Sequence, residues 1–172
     1  MDAPVSSLDG VSADAKTRAA AWGRRAFLVL VLLVVVAALC GFLGMRKATA
    51  AATGDGYGIS LTYARIARAG LDVPWKLTIT HPGGFSGPVT IQATSTYFEM
   101  FESQGITPQP SNETDDGQWW TATFAPPQGD TLVVTLDVYV QPVSQQGRSG
   151  TVAVLDHNVP AVSVDFKTTL LP

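Results

Sequence analysis

The sequence is short of the residues on which most metal-binding and redox chemistry depends. It holds one cysteine and two histidines in 172 residues, which excludes an internal disulfide framework and a cysteine-rich zinc site. Charged residues make up only 15% of the chain, whereas an average soluble domain has about 25%. The formal net charge is −3, so the chain lacks the basic excess that is typical of nucleic-acid-binding domains. We therefore expect no nucleic-acid partner.

Charge is missing altogether from one stretch, residues 26–45. Its twenty residues, AFLVLVLLVVVAALCGFLGM, are mostly Leu, Val, Ala and Phe. A helix of that length spans about 30 Å, the thickness of the hydrocarbon core of a bilayer. We predict a single transmembrane helix over residues 26–45. Cys40 is interpreted as an apolar residue of this span, and Ala37 with Gly41 as a small-residue pair that lets helices approach.

The charges that flank the apolar run predict its orientation. Four basic residues precede it and two follow it closely, and the more basic flank normally stays in the cytoplasm. From Asp55 onward the chain carries five basic and eleven acidic residues, which agrees with that direction. We predict a bacterial cell-membrane protein with a cytoplasmic N-terminus and an extracytoplasmic C-terminal domain. The flanking basic residues are Lys16, Arg18, Arg24, Arg25, Arg46 and Lys47.

A cleaved signal is the alternative to an anchor. Ala48-Thr49-Ala50 has the small-x-small pattern of a cleavage site, and Arg24-Arg25 resembles the core of a twin-arginine signal. The apolar run is longer than the roughly 7–15 residues of a signal peptide's apolar region. This length favours the anchor and leaves the cleaved signal as the alternative.

Composition divides the rest of the chain into three parts. Residues 1–25 lack an apolar stripe and are predicted to form a disordered cytoplasmic tail. Residues 46–56 are mostly small and are predicted to form a linker. Residues 57–172 are long enough for one hydrophobic core and are predicted to form a single β-sandwich domain.

Alternation of apolar and polar residues in the last part predicts strands. Between the strands lie Gly, Pro, Asn and Asp clusters such as residues 81–84 and 156–158, which are typical of turns. Tyr97–Gln104 breaks the alternation and is predicted to contain one or two helical turns. We predict a mainly β protein, an antiparallel immunoglobulin-like sandwich of about seven strands with one short helix. The predicted strands lie within residues 57–63, 71–80, 89–94, 118–124, 132–140, 152–154 and 162–166.

Residues 57–172 contain a series of turn and core motifs: Tyr57-Gly58, Arg68–Leu71, Pro74-Trp75, Pro82–Phe85, Gly87–Val89, Tyr97-Phe98, Pro126-Pro127 with Gly129-Asp130, and Gly147-Arg148. This series resembles an uncharacterised group of actinobacterial single-pass membrane-anchored proteins that carry an extracytoplasmic immunoglobulin-like domain. The resemblance implies a fold and a location, and it implies no catalytic set. The architecture is also similar to that of membrane-anchored accessory subunits of the FixH type.

Neither histidine lies in a context that predicts catalysis. A serine hydrolase needs a nucleophile, a base and an orienting acid, and no serine of the domain lies in a Gly-x-Ser-x-Gly motif. His81 precedes Pro82 and is interpreted as a turn-capping residue, and His157 as an exposed loop residue. We predict no catalytic residues. A hydrolase would need one of these histidines in a cleft beside a carboxylate and a Ser or Thr.

Acidic residues form two groups that have structural interpretations. Glu99 and Glu102 could face the same side of a short helix, and they are interpreted as solvated. Residues 112–117 (NETDDG) resemble the start of an EF-hand loop, but the twelfth position is Thr123 where calcium binding requires Glu. We predict no metal site and no cofactor.

Two adjacent tryptophans are the strongest sign of a binding surface. Because successive side chains of a strand point to opposite faces, either Trp119 or Trp120 should enter the core and the other should face solvent or a partner. Tyr139 is predicted to face outward near them. The predicted partner-binding residues are Trp119, Trp120 and Tyr139, in a non-enzymatic accessory domain that acts on another membrane or envelope protein. The alternatives are a metal-delivery protein and a hydrolase.

Overall fold

The chain forms two compact units, residues 1–43 and residues 44–172. The first holds most of the apolar run, and the second holds the predicted β domain. This computed structural model describes residues 13–39, 44–144 and 146–171, and the side chains of residues 13–18 are not described.

The first unit contains one long helix, α1 (Ala13–Leu39). Its 21-residue portion Ala19–Leu39 is long and apolar enough to cross a membrane, and none of it is buried. The prediction that residues 1–25 are disordered is wrong from residue 13 onward, and residues 1–12 lie outside the described residues. The stretch before the apolar run is rich in Ala, Lys and Arg, which favour a helix even without an apolar stripe. Residues 40–43 of the predicted span, which include Cys40 and Gly41, lie outside the described residues. Met45, the last residue of that span, is not helical and packs against the core of the second unit, so the prediction is wrong at this end.

The predicted linker is a strand of the second unit. Strand β1 (Arg46–Gly54) pairs antiparallel with the following strand along its whole length. Ala48, Ala50 and Ala52 are partly buried against the core, while the residues between them face outward. Alanine has a low intrinsic preference for strands, and here pairing and burial override that preference.

The second unit contains eleven strands within the described residues, and all seven predicted strands are among them. The four others are β1, β5, β6 and β11. The predicted helix over Tyr97–Gln104 is only one turn, α2 (Ser95–Phe98). The second half of the predicted segment, from Phe101 onward, belongs to a strand. After β1, the strands are β2 (Tyr57–Arg68), β3 (Asp72–Thr80), β4 (Val89–Thr94), β5 (Phe101–Thr107), β6 (Asn112–Asp115), β7 (Trp119–Phe124), β8 (Thr131–Val140), β9 (Ser149–Asp156), β10 (Val159–Lys167) and β11 (Thr169–Leu171).

The strands form two sheets, as predicted for an antiparallel β-sandwich. The first sheet has the order β1-β2-β3-β8-β5, with β11 beside β2, and the second has the order β10-β9-β4-β7-β6. Every pairing is antiparallel except that of β11 with β2. Inward residues such as Leu61, Trp75, Ile91 and Phe124 are almost completely buried between the sheets. The outward residues alternate with them and are mostly Thr, Ser and Gln.

A buried hydrogen-bond chain joins the two sheets where β10 passes into β11. Thr168, the residue between these strands, is completely buried, and its hydroxyl donates to the carbonyl of Ala64 on β2 at 2.6 Å. The Tyr97 hydroxyl therefore donates to Thr168 Oγ1, at 2.8 Å. Burial raises the pKa of Tyr97 above its ordinary value, so the phenol stays protonated and remains a donor. These bonds connect α2 and β2 to the crossover, the point at Thr168 where the chain passes from β10 in one sheet to β11 in the other.

Candidate functional site

The two adjacent tryptophans point in opposite directions, as the alternation predicted. Trp120 faces inward and is 8% exposed, and its indole Nε1 donates to Glu113 Oε1 at 2.7 Å. Trp119 lies half-buried on the outer face of the second sheet. The inward tryptophan packs beside α2, since the ring centroids of Trp120 and Phe98 are 5.5 Å apart in an edge-on arrangement.

Tyr139 does not lie near Trp119, so that part of the prediction is wrong. Tyr139 faces outward from β8 in the first sheet, whereas Trp119 faces outward from β7 in the second sheet. The two side chains therefore lie on opposite faces of the sandwich and cannot belong to one contact surface. Alternation along a strand predicts which side chains face inward and which face outward, but it does not predict which sheet the strand joins.

The sandwich opens beside Trp120 into a cavity of about 300 Å³, which we call the Trp120 cleft. It lies between β5, the last strand of the first sheet, and β6 and β7 at the edge of the second. Phe98 forms its base and packs edge-on against both Trp120 and the buried Trp75. The cleft is lined by Phe98, Phe101, Ile106, Trp120, Leu136 and Val138, and by the more polar Ser103, Gly105, Gln109, Glu113 and Asp115.

Two carboxylates give the mouth of the cleft a negative charge. Glu113 pairs with Ala122 and Asp115 with Trp120 in the β6–β7 ladder, so both side chains share the inward side with these core residues. Both are nevertheless exposed because β6 is an edge strand. No lysine or arginine lines the cleft among the described residues. An apolar floor under two carboxylates suits a ligand that has an apolar group and a cationic group.

The turn between β6 and β7 holds this acidic strand in place. Asp116 Oδ1 accepts hydrogen bonds from the backbone N–H groups of Gln118 at 2.9 Å and Trp119 at 2.6 Å. These bonds lower the pKa of Asp116. Asp115 accepts from the Ser95 hydroxyl at 2.7 Å and from the N–H of Gly117 at 2.8 Å. The segment that resembles an EF-hand start is thus a hairpin whose aspartates bind backbone and hydroxyl donors.

The two glutamates near α2 have separate surroundings. Glu99 forms an ion pair with Arg148 at 2.8 Å, and Glu102 lies in β5 opposite Tyr139. Glu99 caps the end of α2 and Glu102 belongs to a strand, so the shared helical face that we considered does not form.

Both histidines line a second cavity, of about 330 Å³, at the other end of the sandwich. His81 Nδ1 donates to the carbonyl of Gly84 at 2.8 Å, which is the predicted turn-capping role, and its ring packs on Tyr57 with centroids 4.6 Å apart. His157 lies at the exposed β9–β10 turn, 3.8 Å from Asp156. Burial, and secondarily the Asp156 charge, raises the pKa of Tyr57.

This second cavity contains the residue types that a hydrolase would need. Ser86 and Thr90 line it together with both histidines and Asp156. However, His81 Nδ1 bonds to a backbone carbonyl, where the base of a catalytic triad bonds to a carboxylate. The cavity therefore groups the residues of the hydrolase alternative without the orienting contact that a triad requires.

Comparison of the sequence with protein-family models gives no match, and comparison with curated protein sequences gives none either.

Proposed function

We propose that the protein is a non-enzymatic, membrane-tethered binding domain that acts on another membrane or envelope protein. The observation that carries this proposal is the Trp120 cleft, an apolar cavity with an acidic mouth at an edge of the sandwich. Edge strands β5 and β6 flank it, and unpaired strand edges are common sites of peptide addition. The turn and core motifs that resemble actinobacterial membrane-anchored immunoglobulin-like proteins agree with this proposal.

The cleft favours a partner segment of defined chemistry. An apolar side chain of the partner enters the cleft against Phe98 and Trp120, and a Lys or Arg beside it faces Glu113 and Asp115. Burial of the apolar group supplies most of the affinity, and the carboxylates supply orientation and selectivity. The anchor contributes by holding the domain at a high effective concentration near a partner in the same membrane.

Photochemical crosslinking tests the site. A benzoylphenylalanine at Gln109, an exposed residue of the cleft lining, is expected to capture one partner when cells are irradiated. The matched control places the same group at Val133, which is 38% exposed on the outer face of the first sheet. Equal adducts from positions 109 and 133, or none from 109, would contradict the site.

The charge of the cleft is tested by a smaller change in the same assay. Glu113→Gln keeps an oxygen that can accept the indole N–H of Trp120, which Glu113 Oε1 accepts at 2.7 Å in the parent protein, and it removes only the charge. We expect a roughly threefold lower adduct yield. Asp130→Asn also removes one negative charge, but Asp130 precedes the first residue of β8, at the end of the strand away from the cleft. This variant should leave the adduct yield unchanged. Equal losses in both variants would indicate a general effect of net charge and contradict a cation at the cleft.

The proposed orientation has the N-terminus in the cytoplasm and residues 44–172 outside. It follows from the excess of basic residues before the apolar run. In a Cys40→Ala background, Gln128→Cys is expected to react with a membrane-impermeant maleimide in intact cells, whereas Ser7→Cys reacts only after permeabilisation. The reverse pattern contradicts the orientation, and a product shortened at residue 50 identifies a cleaved signal.

A further inference from the structure

The basic residues of the second unit are gathered at one end of the sandwich. Residues 44–172 contain seven Lys and Arg against eleven Asp and Glu, so the clustering does not come from a basic composition. Only Lys76, in the middle of β3, lies away from this end. The other six lie where β1 begins, where β2 and β10 end, or just before β9; they are Arg46, Lys47, Arg65, Arg68, Arg148 and Lys167.

Two of these cations line a wide, open surface groove of about 770 Å³ that residues of both sheets border, which we call the basic groove. Arg65 comes from β2 and Lys167 from β10, and both side chains are exposed. The exposed residues Ser149 and Thr169 add two hydroxyl groups, and the rest of the lining is Tyr63, Thr94, Gly150, Thr151, Asp165 and Phe166. Guanidinium, ammonium and hydroxyl groups all donate hydrogen bonds, and together they suit the oxygens of a phosphate group.

The charges of Arg65 and Lys167 are not neutralised within the part of the chain that the structure describes. Neither residue forms an ion pair there. Asp165, the acidic residue of the groove, accepts a hydrogen bond from the Thr151 hydroxyl at 2.6 Å. Glu99, which lies beyond the groove lining, is paired with Arg148 at 2.8 Å. The groove thus carries two cations against the single carboxylate of Asp165, and so has a net positive charge.

We propose that the basic groove binds the phosphate of anionic phospholipid head groups. The chain enters the second unit at this end, since Arg46, the first residue of β1, pairs with Ile66 beside Arg65. Met45 already packs against the core of the second unit, so five residues, 40–44, lie between it and Leu39 of α1, and an extended chain of five residues spans at most about 18 Å. A tether of this length allows the basic end to come within a Debye length, about 8–10 Å, of an anionic membrane surface, where basic residues are attracted to the head groups. This inference rests on the proposed anchoring of α1.

Lysine acylation in lipid nanodiscs tests the inference, because Lys76 is an internal control in the same molecule. The full-length protein is placed in discs of phosphatidylglycerol or of phosphatidylcholine and treated with a neutral acylating reagent. Mass spectrometry then gives the rate at which each lysine is acylated. Lys167 is expected to react at least about threefold more slowly in phosphatidylglycerol, with Lys76 unchanged. Arg65→Gln should restore the Lys167 rate, whereas Lys76→Gln should leave that rate slow.

The outcomes separate this inference from the proposed function. Equal Lys167 rates in both discs contradict lipid binding alone. Slowing by inorganic phosphate in phosphatidylcholine discs, to the extent seen in phosphatidylglycerol, contradicts the lipid assignment in favour of a soluble phosphate ligand. Slowing that survives Arg65→Gln contradicts the groove as the site. Failure of the protein to enter either disc contradicts the anchor, and with it this inference.

Discussion

Gly147→Ala is expected to destabilise the sandwich by about 3 kcal/mol, which is at the upper end of the cost of overpacking. A methyl group at Gly147 would overlap the carbonyl oxygen of Thr168 and lie 2.7 Å from Cα of Thr169. Its φ lies outside the left-handed region, so the cost is steric. For a unit of this size the change lowers the midpoint of thermal unfolding by about 10 °C.

The opposing backbone cannot easily move away from such a methyl group. The N–H of Thr168 donates to the carbonyl of Arg148 at 3.0 Å, and its hydroxyl donates to the carbonyl of Ala64 at 2.6 Å. Displacing Thr168 would break these bonds and the contact with Tyr97. Gly87→Ala is the matched control, because nothing lies within 4 Å of a methyl group there. Thermal unfolding of both variants is monitored by tryptophan fluorescence. Equal midpoints would show that the backbone at Thr168, where β10 passes into β11, is not rigid.

Ser103→Phe is expected to reduce the photochemical adduct from position 109 by roughly tenfold or more, a loss of about 1.4 kcal/mol or greater in binding free energy. Ser103 lies opposite Val138 on the inward side of β5 and lines the Trp120 cleft. A phenyl ring there occupies the space that the partner's apolar side chain needs. The adduct yield, measured at equal protein amounts in membranes, reports the effect, and an unchanged yield would place the partner outside the cleft.

The parts of the fold that follow strict alternation could be predicted from the sequence. β8 alternates apolar and polar residues along its length, but β1 and β6 do not. These two segments become strands because they pair with β2 and β7. β1 is rich in alanine and becomes a strand because β2 pairs with all of it. β6 has only exposed residues, and no local pattern distinguishes it from a turn.

The candidate site was predictable only in part, for a related reason. Parity established that one tryptophan enters the core, and Trp120 does so. The cleft beside it depends on which strands end each sheet, and this is decided by the pairing of β5 with β8 and of β6 with β7. Glu113 is solvent-exposed and would be interpreted from sequence as an ordinary surface residue. The available signal was its position two residues before Asp115, which places both carboxylates on one side of a strand.

A membrane-tethered domain that binds its partner through the Trp120 cleft should need both the cleft and the anchor. The most direct measurement compares the adduct from position 109 in two forms of the protein within cells: the intact chain, and a chain whose apolar run is replaced by a cleavable signal. We expect one membrane or envelope protein to be crosslinked by the intact chain, with a much lower yield from the released domain. No adduct from the intact chain, or the same yield from both forms, would contradict this account of the protein.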